Sequence, residues 1–159
     1  MVKRVYIETT IPSFYFEERA GAEMVARRQW TREWWGAQSQ RYEMVTSVAV
    51  IEELEQGSHP GKQAALELIR NMQILPVVQD IDAIVEAYIA RHVMPDDPRG
   101  DALHLALASY HRCHFLLTWN CRHLANANKV DHIRFVNSEL GLYCPILTTP
   151  VELLQFEGD

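Results

Sequence analysis

Asp101-Ala-Leu-His-Leu-Ala-Leu-Ala108, followed shortly by Phe115-Leu-Leu-Thr118, reads as a helix feeding a buried strand. Upstream, Met94-Pro-Asp-Asp-Pro-Arg-Gly100 is a loop in which Asp97 and Pro98 suit the N-cap and first-turn positions. That pairing predicts a helix from about Asp97 to about His111. Further out, Val5-Tyr-Ile7 and Met44-Val-Thr46 are short β-runs, Ile74-Leu-Pro-Val-Val78 is extended, and Pro145-Ile-Leu-Thr148 is a last strand. Helices are expected from about Thr9-Thr10, with Pro12 in the first turn, and over about 22–37, 61–71, 80–92, 125–129 and 150–154, with Asp80 capping the fourth of these. Another is expected between a Ser47 cap and Gly57 as the C′ residue. Strands alternating with helices imply one α/β domain over 1–159, with a parallel sheet and helices on both faces. No repeat, linker or low-complexity segment interrupts it.

Composition limits the classes. A hydrophobic fraction of 48% and a charged fraction of 23% are those of a folded globular chain. No apolar run approaches the ~18 residues of a transmembrane helix, so no membrane role is expected. Met1-Val-Lys-Arg-Val-Tyr-Ile-Glu8 reaches an acid too early for a signal peptide and reads as a strand. The three cysteines, Cys113, Cys121 and Cys144, form neither an even set nor a Cys-x-x-Cys pair. Buried or half-buried free thiols in a reducing cytoplasm are expected, not disulfides or a zinc site. The net charge of −6 does not by itself suggest a nucleic-acid binder. Its distribution is uneven, however: residues 45–105 carry four Lys/Arg against ten acids. Part of that surplus is surface charge, and part is of the kind bound cations neutralise.

Four acidic or amide residues stand at ends of predicted elements: Glu8 after the first strand, Glu53 on the helix after Ser47, Asp101 at a helix start, and Asn120 after Phe115–Thr118. In an open α/β sheet such ends converge on one crevice, where clustered carboxylates repel unless a divalent metal neutralises them. Helical periodicity places both Glu53 and Glu55 at edges of the Val50, Ile51, Leu54 stripe, with Glu52 nearly opposite, so it prefers Glu53 only weakly. The helix dipole favours a negative charge at the Asp101 position. His104 lies on the same helix face; Asp-x-x-His suits a metal, but a histidine packed against apolar neighbours is the commoner outcome. The Asn120 side-chain oxygen could ligate a metal directly or through water, or simply hold a turn. Thr10, Thr118 and His123 are further polar groups near these ends. Arg27-Arg28-Gln-Trp-Thr-Arg-Glu-Trp-Trp35 mixes cations and aromatics, as base-stacking surfaces do, although Trp30 and Trp34 sit at ordinary packing spacing.

The segments Tyr6-Ile-Glu-Thr-Thr-Ile-Pro-Ser13, Glu53-Leu-Glu-Gln-Gly57, Gly100-Asp-Ala-Leu-His-Leu-Ala-Leu-Ala108 and Leu116-Leu-Thr-Trp-Asn120 together span most of the chain. In their order and spacing the chain resembles the PIN-domain ribonucleases, and among them the VapC-like toxins of toxin–antitoxin pairs. The resemblance implies a three-layer α/β/α sandwich around a parallel sheet. It implies Mg²⁺ or Mn²⁺ held by Glu8, Glu53, Asp101 and Asn120 for hydrolysis of RNA. It also selects Glu53 over its neighbours, through the acid-Leu-x-x-Gly pattern, and implies a small antitoxin partner, a homodimer and a cytoplasmic setting. Glu8 stands where the family usually has Asp, and Asn120 where Asp is common. At most three negative ligands then remain, which favours one tightly held metal, with a second arriving on the substrate phosphate. The same two residues motivate an alternative, a catalytically silent PIN module that binds RNA or a protein. A receiver domain or a haloacid-dehalogenase-like phosphatase would need paired acids or Asp-x-Asp after the first strand, where this chain has Glu-Thr-Thr. No Gly-rich nucleotide loop is present.

Overall fold

The computed structural model describes residues 2–154. In chain order these form β1 (Lys3–Ile7), α1 (Thr10–Tyr15), α2 (Ala22–Gln38), β2 (Tyr42–Ser47), α3 (Val48–Gln56), α4 (Lys62–Ile69), β3 (Gln73–Leu75), α5 (Asp80–Ala90), α6 (Asp101–Tyr110), β4 (Phe115–Leu117), α7 (Val130–Glu139), β5 (Ile146–Thr148) and α8 (Pro150–Leu153). The five strands make one sheet in the order β3-β2-β1-β4-β5, and every pairing is parallel. This is an α/β/α sandwich, as the alternation of strands and helices implies. Among the described residues no helix is long and apolar enough to cross a membrane.

Strand alternation builds the two outer layers. Tyr6, Val45 and Leu116 point into a core shared with α3, α4, α5, α6 and α7. Val5, Ile7 and Leu117 point the other way, onto Ile11, Phe14, Trp34, Trp119 and Leu153. A parallel sheet buried on both faces needs strands that are apolar on both sides, and β1 and β4 meet that need. The chain leaves β1 toward β2 and β3, then returns to place β4 and β5 on the other side. The crevice beyond the carboxyl ends of β1 and β4 is therefore the topological switch point, where ligands of open α/β sheets bind.

Several local expectations are corrected. α6 begins at Asp101, not Asp97. Asp97 instead closes the preceding turn: its Oδ1 accepts from the Arg99 N–H at 3.0 Å, and Gly100 donates to its carbonyl at 3.3 Å. Gly100 then breaks the helical path, with φ −99° and ψ −129°. Residues 127–129 form only a 3₁₀ turn that leads into α7. Ile133 and Val136 are the only buried apolar residues of α7, and exposed Phe135 blurs the stripe, so periodicity does not carry the expected helix past Lys129. Gly57 follows α3 with φ −70°, which is not the left-handed C′ geometry. Asp80 is the first residue of α5 and not its cap, which is Gln79. Cys113 is buried and Cys144 half-buried, but Cys121 is exposed.

Gly61, ahead of α4, has a clear steric reason. A Cβ there would lie 2.8 Å from the Phe16 Cβ and 3.1 Å from the Phe16 carbonyl oxygen. Gly61→Ala therefore forces backbone to move, and a loss of about 1–3 kcal/mol is expected in urea unfolding.

Candidate metal centre

Glu8 leaves β1 directly into the crevice and is only 3% exposed. Its Oε1 accepts three hydrogen bonds: from the Thr10 N–H at 3.1 Å, the Thr10 hydroxyl at 2.5 Å and the Thr118 hydroxyl at 2.6 Å. All three converge on one oxygen, so the carboxylate is fixed in orientation while Oε2 has no partner among the described residues. Thr10 opens α1 and Thr118 follows β4, so the two strands at the switch point are tied together through Glu8. Burial raises the Glu8 pKa above its ordinary value, and the charge on His104 and the threonine bonds counter that only in part.

Glu53 reaches the crevice from α3. Its Oε1 is hydrogen-bonded to His104 Nε2 at 2.5 Å. His104, 1% exposed on α6, bonds through Nδ1 to the Tyr6 hydroxyl at 2.8 Å. Tyr6 in turn meets the Ser47 hydroxyl at 2.7 Å. Ser47 does occupy the N-cap position of α3, but it makes no cap hydrogen bond, because its hydroxyl serves this network. Burial pulls the His104 pKa down. The Glu53 bond and the charges of Glu8, Glu53 and Asp101 outweigh it, and the net shift is upward. The imidazolium so favoured donates from both ring nitrogens and is the positive charge among these acids. Burial holds the Tyr6 phenol well above its ordinary pKa, so it stays neutral.

Among the described residues, the ligating atoms of Glu8, Glu53 and His104 lie within 4.8 Å of one another. Both ring nitrogens of His104 are engaged by Tyr6 and Glu53, so the oxygens of the two carboxylates are the donors this group offers a cation. Asp101 lies outside that group. Its Oδ1 accepts from the Asn120 Nδ2 at 2.9 Å, while the Asn120 oxygen accepts from the Arg122 and His123 N–H groups at 3.2 and 3.0 Å. The Asn120 N–H donates to the Thr118 hydroxyl at 2.9 Å. A continuous hydrogen-bonded path thus runs from Glu8 through Thr118 and Asn120 to Asp101. His104 couples Glu53 to the helix that Asp101 begins. Lys129 is half-buried on the Asp101 side; burial lowers its pKa, and Asp101 opposes that.

The sequence gives Ser47 only a capping role and Tyr6, between Val5 and Ile7, the look of core, so neither is expected at the site. The signal was available: the Tyr6 hydroxyl is a polar atom carried into an otherwise apolar strand, and such an atom needs a buried partner. The tryptophan segment resolves toward packing. Trp34 is buried, Trp30 stacks on Trp119 with centroids 6.1 Å apart, and the Arg27 guanidinium lies 5.3 Å from the Trp119 ring centre.

Comparison of the chain with protein-family models, curated proteins and solved structures found no match.

Proposed function

We propose that this chain is a metal-dependent endoribonuclease of the PIN-domain kind, a VapC-like toxin acting in the cytoplasm. The observation that carries the reading is the approach of the buried Glu8 and the half-buried Glu53 to within 4.8 Å at the switch point of a parallel sheet. The His104 imidazolium offsets one of these two charges, and the pair still presents a net negative site that a divalent cation would neutralise. Each acid has one oxygen engaged by neighbours and the other without a partner among the described residues. Oxygen donors of this kind suit Mg²⁺ or Mn²⁺. Glu8, Glu53 and Asp101 would hold the ion. When bound, such an ion supplies a Lewis acid that activates water and stabilises charge on a phosphate. Within the protein, Thr10 and Thr118 orient Glu8, His104 orients Glu53, and Asn120 orients Asp101. The motif resemblance supports RNA as substrate, with a small antitoxin and a second copy of the chain as partners.

One observation favours the silent-module alternative: both polar atoms of the Asn120 amide are already engaged, one with Asp101 and one with backbone. Calorimetry with Mn²⁺ separates the two readings. Binding together with Mn²⁺-stimulated cleavage of single-stranded RNA supports the nuclease. Absence of binding at millimolar metal supports the silent module.

The pKa shifts give a second check. The Glu8 pKa is raised from 4.5 and that of His104 from 6.5. The folded chain therefore binds protons that the unfolded chain has released, and each group's contribution is lost as pH rises through its raised folded value. Without divalent metal, Tm should fall as pH rises from about 6 to about 8. Metal binding needs ionised carboxylates, so the added stability should grow over the same interval. At about 100 times Kd the ion adds about 2.7 kcal/mol, or about 5–10 °C in Tm for a chain of this size. A Tm that does not respond to Mn²⁺ at either pH contradicts the metal site.

A further inference from the structure

Glu53 borders a second feature. A cavity of about 640 Å³ opens beside it, lined by Val48, Glu52, Glu53, Val77, Asp82, Arg99 and Leu103. That volume falls inside the roughly 300–1,000 Å³ of small-ligand sites. Two of its apolar walls, Val48 and Val77, are 43% and 47% exposed. Glu52 on α3 and Arg99 in the turn before α6 have no side-chain hydrogen bond or ion pair among the described residues. A slot of mixed lining, with apolar walls beside a free carboxylate and a free guanidinium, shares Glu53 with the candidate metal centre and has the composition of a recognition site.

The charge balance indicates which part of a nucleotide enters. Glu52, Glu53 and Asp82 outnumber Arg99, so the cavity disfavours a phosphate and favours a group bearing N–H donors. Guanine presents N1–H and N2–H₂ side by side, which the two oxygens of one carboxylate can accept together. Its O6 and N7 are paired acceptors, the preferred partner of an arginine. Adenine and cytosine offer an amino group beside an acceptor, and uracil a single N–H, so none of them satisfies both groups. The ring faces would lie against Val48 and Val77.

We propose that this cavity is the subsite for a guanine base adjoining the scissile phosphate, with Glu52 and Arg99 as its specificity residues. The inference rests on the ribonuclease reading for its place in the reaction, but the binding it requires can be measured separately. The test is an NMR titration of the full chain, in Mg²⁺, with GMP, AMP, CMP and UMP. GMP should shift the amides of Val48, Val77 and Arg99. It should bind about 5–150-fold more tightly than the other three, the range one good bidentate contact supplies. Glu52→Gln and Arg99→Ala, both at exposed positions, should each remove that preference and leave Mn²⁺ affinity unchanged. Equal binding of all four nucleotides, or shifts confined to other residues, overturns the proposal. A chain that binds GMP here yet cleaves no RNA in Mn²⁺ keeps the guanine site and removes the ribonuclease reading. One that cleaves RNA with no bias toward guanine beside the cut removes the guanine site and keeps the ribonuclease.

Discussion

Asp101→Asn should abolish metal-stimulated RNA cleavage and leave the protein folded. Asp101 opens α6, where unpaired N–H groups and the helix dipole favour a negative charge. Asparagine keeps the shape and an oxygen that can still accept from Asn120, so the contact between the start of α6 and the turn after β4 should hold. The lost dipole interaction costs only about 0.3–1 kcal/mol. In the mechanism proposed here, the lost charge is one of three that hold the cation. The fall in turnover should therefore exceed the roughly 10–100-fold that follows loss of an outer-shell partner. Glu53→Gln should behave alike, since an amide keeps the contact with His104 but not the charge. Cleavage of a labelled RNA in Mn²⁺, with circular dichroism as the folding control, measures both. A pure, folded Asp101→Asn protein with undiminished cleavage would remove Asp101 from the mechanism.

The second large effect is expected at His104. Its ring is fully enclosed and joins α3, α6 and β1 through Glu53 and the Tyr6 hydroxyl. His104→Ala leaves a cavity in the core and strips a partner from both neighbours, and similar truncations of buried side chains cost about 2–5 kcal/mol. Thermal unfolding should show a Tm lowered by about 5–15 °C. A purely structural histidine would do no more than that. A histidine that also aims Glu53 should, when lost, weaken Mn²⁺ binding by about 10–100-fold. Leu105→Ala is the control, because Leu105 is buried on the same helix with no polar role. It should cost comparable stability and leave Mn²⁺ affinity unchanged. Equal Mn²⁺ affinity in wild type and in folded His104→Ala protein would reduce His104 to packing.

These two residues also separate what could be read along the chain from what could not. Strands β1, β2 and β4 were legible because short apolar runs at strand length, bounded by polar residues, have few other uses in a domain of this size. Helix α2 was legible within a residue or so. α7 was not, because its buried stripe is thin and the turn before it resembles a complete short helix. The start of α6 was misplaced because an Asp-Pro pair caps a tight turn as readily as a helix, and Gly100 decided between them.

The positions of Glu8, Asp101 and Asn120 at element ends followed from local patterning, since propensity and polarity act over a few neighbouring residues, whereas Glu53, inside α3, was singled out from Glu52 and Glu55 only by the motif resemblance. Their pairing did not follow from local patterning. Tyr6 meets Ser47 across 41 residues and His104 across 98, and Thr118 meets Glu8 across 110. Strand order and register set such contacts, and the order β3-β2-β1-β4-β5 puts the ends of β1 and β4 side by side. Only the folded sheet determined that Glu8 and Glu53 share their cluster with His104, while Asp101 is tied to Asn120. Which distant side chains meet depends on how the whole core packs, and no local stretch of sequence encodes that by itself.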